Sequence, residues 1–179
     1  MNFTAVVVVS LYTSNYMNTA ILYMTQHGCT EKAATELSRI LPGKTELFNL
    51  YKVSAPDLNP YDTIVIGGSI HYGRIQAGLQ KFCNEHRGEL MYKNLGLFIC
   101  CMETGKNAEA EFENAFEEPL RRHAIAKGIF GGEFNLKKMT SFERVVIRHI
   151  AGVKDNTSRI DMDAIRSFAG QLISVAQAR

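Results

Sequence analysis

The chain has 179 residues, 46% apolar and 21% charged, with a net charge of +2, which fits one globular domain able to bury a sizeable core. So small a charge, without a Lys/Arg block, excludes an electrostatic nucleic-acid binder. The four cysteines, Cys29, Cys83, Cys100 and Cys101, include no C-x-x-C pair, so no metal site or thioredoxin motif is expected and they read as the reduced thiols of a cytoplasmic protein.

Residues 1–16, "MNFTAVVVVSLYTSNY", are apolar, but no Lys or Arg precedes the run and no A-x-A-like site follows it. The run also falls short of the ~20 apolar residues that span a bilayer. They read as an N-terminal extension to a domain over 17–179. From Met17 onward, apolar and amphipathic runs alternate. Ala20–Thr25 reads as strand and Glu31–Leu41 as helix, stopped by Pro42-Gly43. Thr45–Leu50 is a weaker strand. Thr63–Gly67, "TIVIG", is a short continuous apolar run of the kind buried on both faces. Ile75–His86 reads as helix, Leu95–Cys101 as a second buried strand and Asn107–Arg122 as a helix rich in Ala and Glu. Ala126–Phe134 is a strand interrupted by glycines. Ser141–Ala151 and Asp161–Ala178 close the chain as helices. Five strand–helix units predict an α/β fold: a doubly wound parallel sheet in the order 2-1-3-4-5, with helices on both faces. The ligand crevice of such a sheet lies at the carboxyl ends of strands 1 and 3.

Three loops should therefore share one rim. The first, Thr25, Gln26, His27, Gly28, Cys29 and Thr30, has the form T-x-x-G-x-T at the start of a helix. Backbone N–H groups, the helix dipole and two threonine hydroxyls can converge there on an anion. The loop lacks both G-x-x-x-x-G-K-[ST] and G-x-G-x-x-G, so a single phosphate monoester suits it better than a nucleoside triphosphate or a dinucleotide. The structural alternative is a threonine that caps a helix. The second loop, Gly67–Gly78, carries four glycines and Tyr72, which could let a flat ring lie close and stack. Its alternative is a plain strand-to-helix turn. The third, Cys100–Asn107, leaves a buried strand through small and polar residues.

Together these loops resemble the FMN site of the flavodoxin superfamily. Within it, "SIHYG" (Ser69–Gly73), the downstream Gln80 and Phe82, and the late stretch "FERVVIRHIAGVKDNTSR" (Phe142–Arg159) are similar to the menaquinone-dependent protoporphyrinogen IX dehydrogenases. The resemblance implies a flavodoxin-like fold. It implies that Thr25–Thr30 hold the FMN phosphate, that Ser69, Ile70, His71, Tyr72 and Gly73 flank the isoalloxazine on one side, and that Met102, Glu103, Thr104 and Gly105 flank it on the other. The chain has no Trp and the third loop no aromatic, so one ring face is expected to be open to substrate. The implied activity is an FMN-dependent oxidoreductase of heme biosynthesis, with hydride passing from porphyrinogen to FMN and electrons then passing to a quinone. Arg74, Arg144 and Arg148 are the candidate substrate residues, suited to propionate carboxylates. Arg144 and Arg148, with Lys137, Lys138 and Lys154, would also allow the late helix peripheral contact with the inner face of a membrane; the alternative is a packed helix with a solvated basic face. A flavodoxin-type electron carrier is the competing function, though carriers usually use a strongly acidic face to reach basic partners. A phosphoacceptor module is weaker, because no acidic cluster ends the strands.

Overall fold

The computed structural model describes residues 17–53, 56–134 and 157–176. Five parallel strands form the centre: β1 (Asn18–Met24), β2 (Lys44–Asn49), β3 (Thr63–His71), β5 (Asn94–Cys100) and β6 (Ala126–Ile129). Their order is β2-β1-β3-β5-β6, and the two-residue β4 (Arg74–Ile75) pairs antiparallel with β3. Setting β4 aside, this is the expected 2-1-3-4-5 order. The inner strands are apolar on both faces because both faces are covered. On one face α1 (Cys29–Ile40) and α6 (Met162–Ala176) bury Ala33, Leu37, Phe168 and Leu172 against Ile21, Val65 and Phe98. On the other, α2 (Ala77–Glu85), α3 (Arg87–Leu90), α4 (Gly105–Ala115) and α5 (Glu118–His123) bury Leu79, Leu90, Phe112 and Leu120 against Leu22, Ile66 and Leu97.

Three elements depart from the sequence expectation. Ile75 does not begin a helix. It pairs with Ile70 across a hairpin whose two turn residues, Tyr72 and Gly73, both have positive φ (52° and 74°), the pattern of a type I′ turn. The helix expected over Asn107–Arg122 is two helices, because Phe116 and Glu117 are extended and Pro119 sits at the start of α5, a position where its missing N–H costs nothing. The strand expected over Ala126–Phe134 stops at Ile129. Gly131 turns the chain at φ 69°, with the Arg159 carbonyl packed where a Cβ would project. The chain then forms β7 (Glu133–Phe134), which pairs antiparallel with β8 (Thr157–Ser158) in a separate two-stranded sheet. The polar end of the late stretch Phe142–Arg159 thus supplies a short strand. The helix expected over Ser141–Ala151, with Arg144, Arg148, Lys137, Lys138 and Lys154, lies outside the described residues, as does the 1–16 extension. Among the described residues no helix is long and apolar enough to cross a membrane.

Candidate functional site

Register places the three loops. Met24 of β1 is level with Gly68 of β3, and Gly68 is level with Ile99 of β5. One residue further on, Thr25 has left β1, Ser69 and Cys100 are still paired, and β3 runs on to His71 in its hairpin with β4. The carboxyl ends of β1, β3 and β5 thus lie at one edge of the sheet, where parallel sheets collect their ligands.

In the first loop the Thr25 Oγ1 accepts the Gly28 N–H at 3.0 Å, closing a tight turn. Gly28 sits at φ 92°, a left-handed conformation that glycine enters without a Cβ clash. It is also the residue before α1, and no side chain caps that helix. Thr30 is consequently not the cap. It is the second helical residue, wholly buried, with its hydroxyl beside the Cys100 thiol and no nitrogen or oxygen partner among the described residues. A buried hydroxyl without a strong partner costs free energy in the absence of a ligand. Such an orphan at the start of a 12-residue helix is what an anion-binding loop would hold ready. The loop contains no lysine, arginine or carboxylate, so its polar groups are backbone N–H groups, the two threonine hydroxyls, the Gln26 amide and the His27 imidazole.

The second loop differs from its sequence reading. Gly67 and Gly68 lie inside β3, and a Cβ on Gly67 would strike the Phe98 ring. They serve packing between strand and core. The loop proper is the Tyr72-Gly73 turn. Tyr72 is 80% exposed and carries a positive φ; a bulky side chain there costs roughly 1–2 kcal/mol. Behind it, the Gln76 amide donates to the Ser69 hydroxyl at 2.6 Å, and that oxygen lies 2.9 Å from His71 Nε2. The Gln76 amide oxygen, also buried, has no hydrogen-bond partner among the described residues. The His71 ring meets His27 of the first loop edge-to-face, with centroids 5.7 Å apart. The first two loops are thereby joined. Ile70 is packed against the core, and Arg74 is exposed on the far strand of the hairpin, opposite His71.

The third loop, Cys101–Thr104, runs into α4, whose first residue Gly105 has φ 56°. Met102, Glu103, Thr104 and Gly105 line a cavity of about 300 Å³, together with Glu109, Ile129, Gly131, Gly132, Arg159 and Asp161. Its lining thus extends away from β3, toward β6 and the β7–β8 ribbon. Glu103 accepts from the Asn107 amide at 3.1 Å, and Asp161 caps the start of α6 by accepting the N–H groups of Asp163 and Ala164. In the cavity lining, the Cys101 thiol donates to the Glu103 carbonyl at 3.7 Å and lies near the Glu111 carboxyl. Burial pushes the Cys101 thiol up to about 12, and burial likewise raises the Glu111 carboxyl above its usual range.

Of the residues expected at the site, Thr25–Thr30 and Ser69–Gly73 come together directly, Met102–Gly105 stand at the same rim, and Arg74 is beside the second loop. Arg144 and Arg148 lie outside the described residues. Sequence reasoning missed Gln76, Arg159 and Asp161. Gln76 was read as helix. Arg159 and Asp161 come beside the third loop only because β7 and β8 pair.

The chain belongs to the flavodoxin family, whose domain model matches residues 20–161. It is 32% identical over 77 residues to the protoporphyrinogen IX dehydrogenase [quinone] of Escherichia coli K12, a match spanning 41% of this chain and 42% of that protein. The protein of the same name from Leishmania major is 24% identical over 174 residues, covering 88% of this chain and 75% of the relative. Among solved structures, oxidised Flavodoxin 1 from Bacillus cereus superposes with a TM-score of 0.52 at 13% identity, covering 87% of this chain and 97% of that one. The rubredoxin oxygen:oxidoreductase of Desulfovibrio gigas superposes with a TM-score of 0.55 at 14% identity over 98% of this chain and 40% of that chain. These two likenesses concern the fold.

Proposed function

We propose that the protein is an FMN-dependent oxidoreductase that oxidises a porphyrinogen and passes the electrons to a quinone. The observation that carries the flavin part is the convergence at the carboxyl ends of β1 and β3 of a T-x-x-G-x-T loop, with its Thr30 hydroxyl lacking a nitrogen or oxygen partner, and an exposed Tyr72 on the β3–β4 hairpin. The residues fit the cofactor. The Gly28–Thr30 backbone and the Thr25 and Thr30 hydroxyls would hold the phosphate. Tyr72 would cover one face of the ring, and the Gln76–Ser69–His71 chain would fix the loop beneath it. FMN supplies hydride acceptance and its onward transfer as electrons. The protein binds and orients. Met102, Glu103, Thr104 and Gly105 would flank the second face without an aromatic cover, leaving room for a substrate. Arg74 would meet a substrate carboxylate. Substrate and acceptor are suggested by the names of the relatives and by the basic stretch over 137–154, which would serve propionates or an anionic membrane surface.

The test is spectroscopic. Purified protein should show flavin bands near ~450 nm. Under anaerobic conditions porphyrinogen should bleach them and a quinone should restore them. Bands that porphyrinogen does not bleach would favour an electron carrier or a reductase of another substrate.

A further inference from the structure

Two adjacent glycines hold the third loop against the β7–β8 ribbon. The Gly131 carbonyl accepts the Cys101 N–H at 3.0 Å, and the Gly132 carbonyl accepts the Arg159 N–H at 2.8 Å. A third bond, from the Asp161 N–H to the Phe130 carbonyl at 3.0 Å, fastens the stretch that follows Arg159. The packing is as close as the bonding. A Cβ on Gly131 would overlap the Arg159 carbonyl oxygen, and one on Gly132 would lie 2.6 Å from the Met102 sulfur and 2.8 Å from the Cys101 carbonyl oxygen. Side chains at these two positions would wedge the three stretches apart. Because both are glycine, Arg159 is carried on a fixed backbone into the lining of the cavity that Met102–Gly105 also line.

Arg159 stands there without a counter-ion. Arg39, Arg87, Arg121, Arg122 and Arg166 each meet a carboxylate within 4.0 Å. Arg159 meets none among the described residues, although Glu103, Glu109 and Asp161 line the same cavity. Two of those carboxylates already have partners in the protein. Asp161 accepts the Asp163 and Ala164 N–H groups at 3.0 and 2.9 Å, and Glu103 accepts from the Asn107 amide at 3.1 Å. A guanidinium offers a planar fork of donors, whereas carboxylates only accept. The lining therefore matches a ligand that brings a carboxylate and N–H donors together. The same acids oppose a ligand that is only anionic. A quinone brings acceptors alone. A pyrrole ring with a propionate arm brings both kinds of group.

We infer that Arg159 is a substrate-recognition residue that binds one propionate carboxylate of the porphyrinogen in the cavity beside the third loop. This assignment rests on the reading that the protein oxidises a porphyrinogen at a flavin flanked by Met102–Gly105, and it names the group that selects the substrate. The guanidinium takes the carboxylate through two parallel N–H bonds, while the pyrrole N–H groups face the acids around it. At about 300 Å³ the cavity is at the small end of ligand sites. It takes one propionate-bearing pyrrole and leaves the rest of the macrocycle toward the second loop. The quinone, which has no donor for these carboxylates, is received elsewhere. Arg159 holds the substrate and does not take part in hydride transfer, so its loss weakens binding and spares the chemical step.

The experiment uses the full chain saturated with FMN. Anaerobic stopped-flow follows flavin reduction against the concentration of protoporphyrinogen IX and, separately, of its dimethyl ester, giving an apparent Kd and a limiting rate for each. A second titration reads the binding of protoporphyrin IX by its fluorescence anisotropy, independently of turnover. In Arg159→Gln the Kd for the free acid should rise about tenfold, the value of one hydrogen bond to a charged group. The limiting rate, the FMN affinity and the Kd for the ester should stay as in the wild type, and Arg159→Lys should recover part of the loss. Melting temperature checks that each variant is folded. Wild-type affinity for the free acid in folded Arg159→Gln would overturn the assignment and leave the porphyrinogen reading intact. An equal loss for acid and ester would also overturn it, making Arg159 a packing residue. A wild-type flavin that porphyrinogen does not reduce, in protein that binds no protoporphyrin IX, would overturn the porphyrinogen reading and this assignment with it.

Discussion

The first loop and the cavity beside the third loop both lie at the carboxyl ends of strands of one sheet, yet they present opposite surfaces. Thr25–Thr30 has no lysine, arginine or carboxylate, closes on itself through one short hydrogen bond, and buries Thr30 completely. The cavity is lined by Glu103, Glu109, Arg159 and Asp161 and draws its walls from three separate stretches of chain. Backbone groups at fixed angles suit an invariant piece of a ligand, because they cost no reorganisation when it binds. Charged side chains contributed from remote segments suit discrimination among partners. On the proposed reading, holding the cofactor would fall to the first loop, and choosing its reaction partner could fall to a neighbouring region built from other segments of the chain.

The sharpest way to break that division is Thr30→Val, which keeps the shape and removes the hydroxyl. FMN affinity should fall by about 1.5–3 kcal/mol, the value of a hydrogen bond to a charged group, while riboflavin, lacking the phosphate, should bind as before. Since the hydroxyl has no strong partner without ligand, the flavin-free melting temperature should not fall. A lower melting temperature with unchanged FMN affinity would make Thr30 a packing residue. For the proposed substrate contact, which lies on the β3–β4 hairpin and outside the charged cavity, Arg74→Ala should leave FMN binding intact and lower kcat/KM for porphyrinogen about tenfold, because the contact persists into the transition state. Stopped-flow flavin reduction reads this directly, and unchanged kinetics would move the carboxylate site elsewhere.

Tyr72 sharpens the comparison within the cofactor region. Asn is far better suited than Tyr to a positive φ ahead of glycine, so Tyr72→Asn should stabilise the flavin-free protein by about 1 kcal/mol and weaken flavin binding. A gain in both would show that the tyrosine does not touch the ring. The smallest effect belongs to Glu111, at the edge of the cavity. Its folded pKa is raised by burial, so its protonated form favours the fold. That contribution is complete below the ordinary glutamate pKa and is lost as pH rises through the raised value. Glu111→Gln should therefore leave stability near pH 4 unchanged and raise the melting temperature at pH 7 slightly, by less than about 0.5 kcal/mol equivalent. An equal shift at both pH values would point to packing instead.

What the sequence disclosed follows from how local each feature is. The continuous apolar runs at Thr63–Gly67 and Leu95–Cys101 announced buried strands, and the alternation of strand and helix announced the sheet order. The tight turn of the first loop was legible because Thr, Gly and Thr at that spacing have a direct meaning for backbone and hydroxyls. The hairpin was not, because Tyr72 disguises a turn that Asn-Gly would have advertised. Gly67 and Gly68 looked like loop glycines, though their reason is the Phe98 ring and side chains from α2's start, contacts invisible along the chain. The places of Gln76, Arg159 and Asp161 depend on tertiary packing, for which residue order holds no local signal.

The pairing of β7 with β8 has a consequence for how the protein can vary. Phe134 and Thr157 are cross-strand partners, so their backbones lie about 5 Å apart, held by the Lys32–Glu133 ion pair on one side and by the Arg159 N–H to Gly132 carbonyl bond of 2.8 Å on the other. Closing a loop between ends already held together costs little more for a long segment than for a short one. Residues inserted between Phe134 and Thr157 should therefore cost little stability and leave the register of the parallel sheet unchanged.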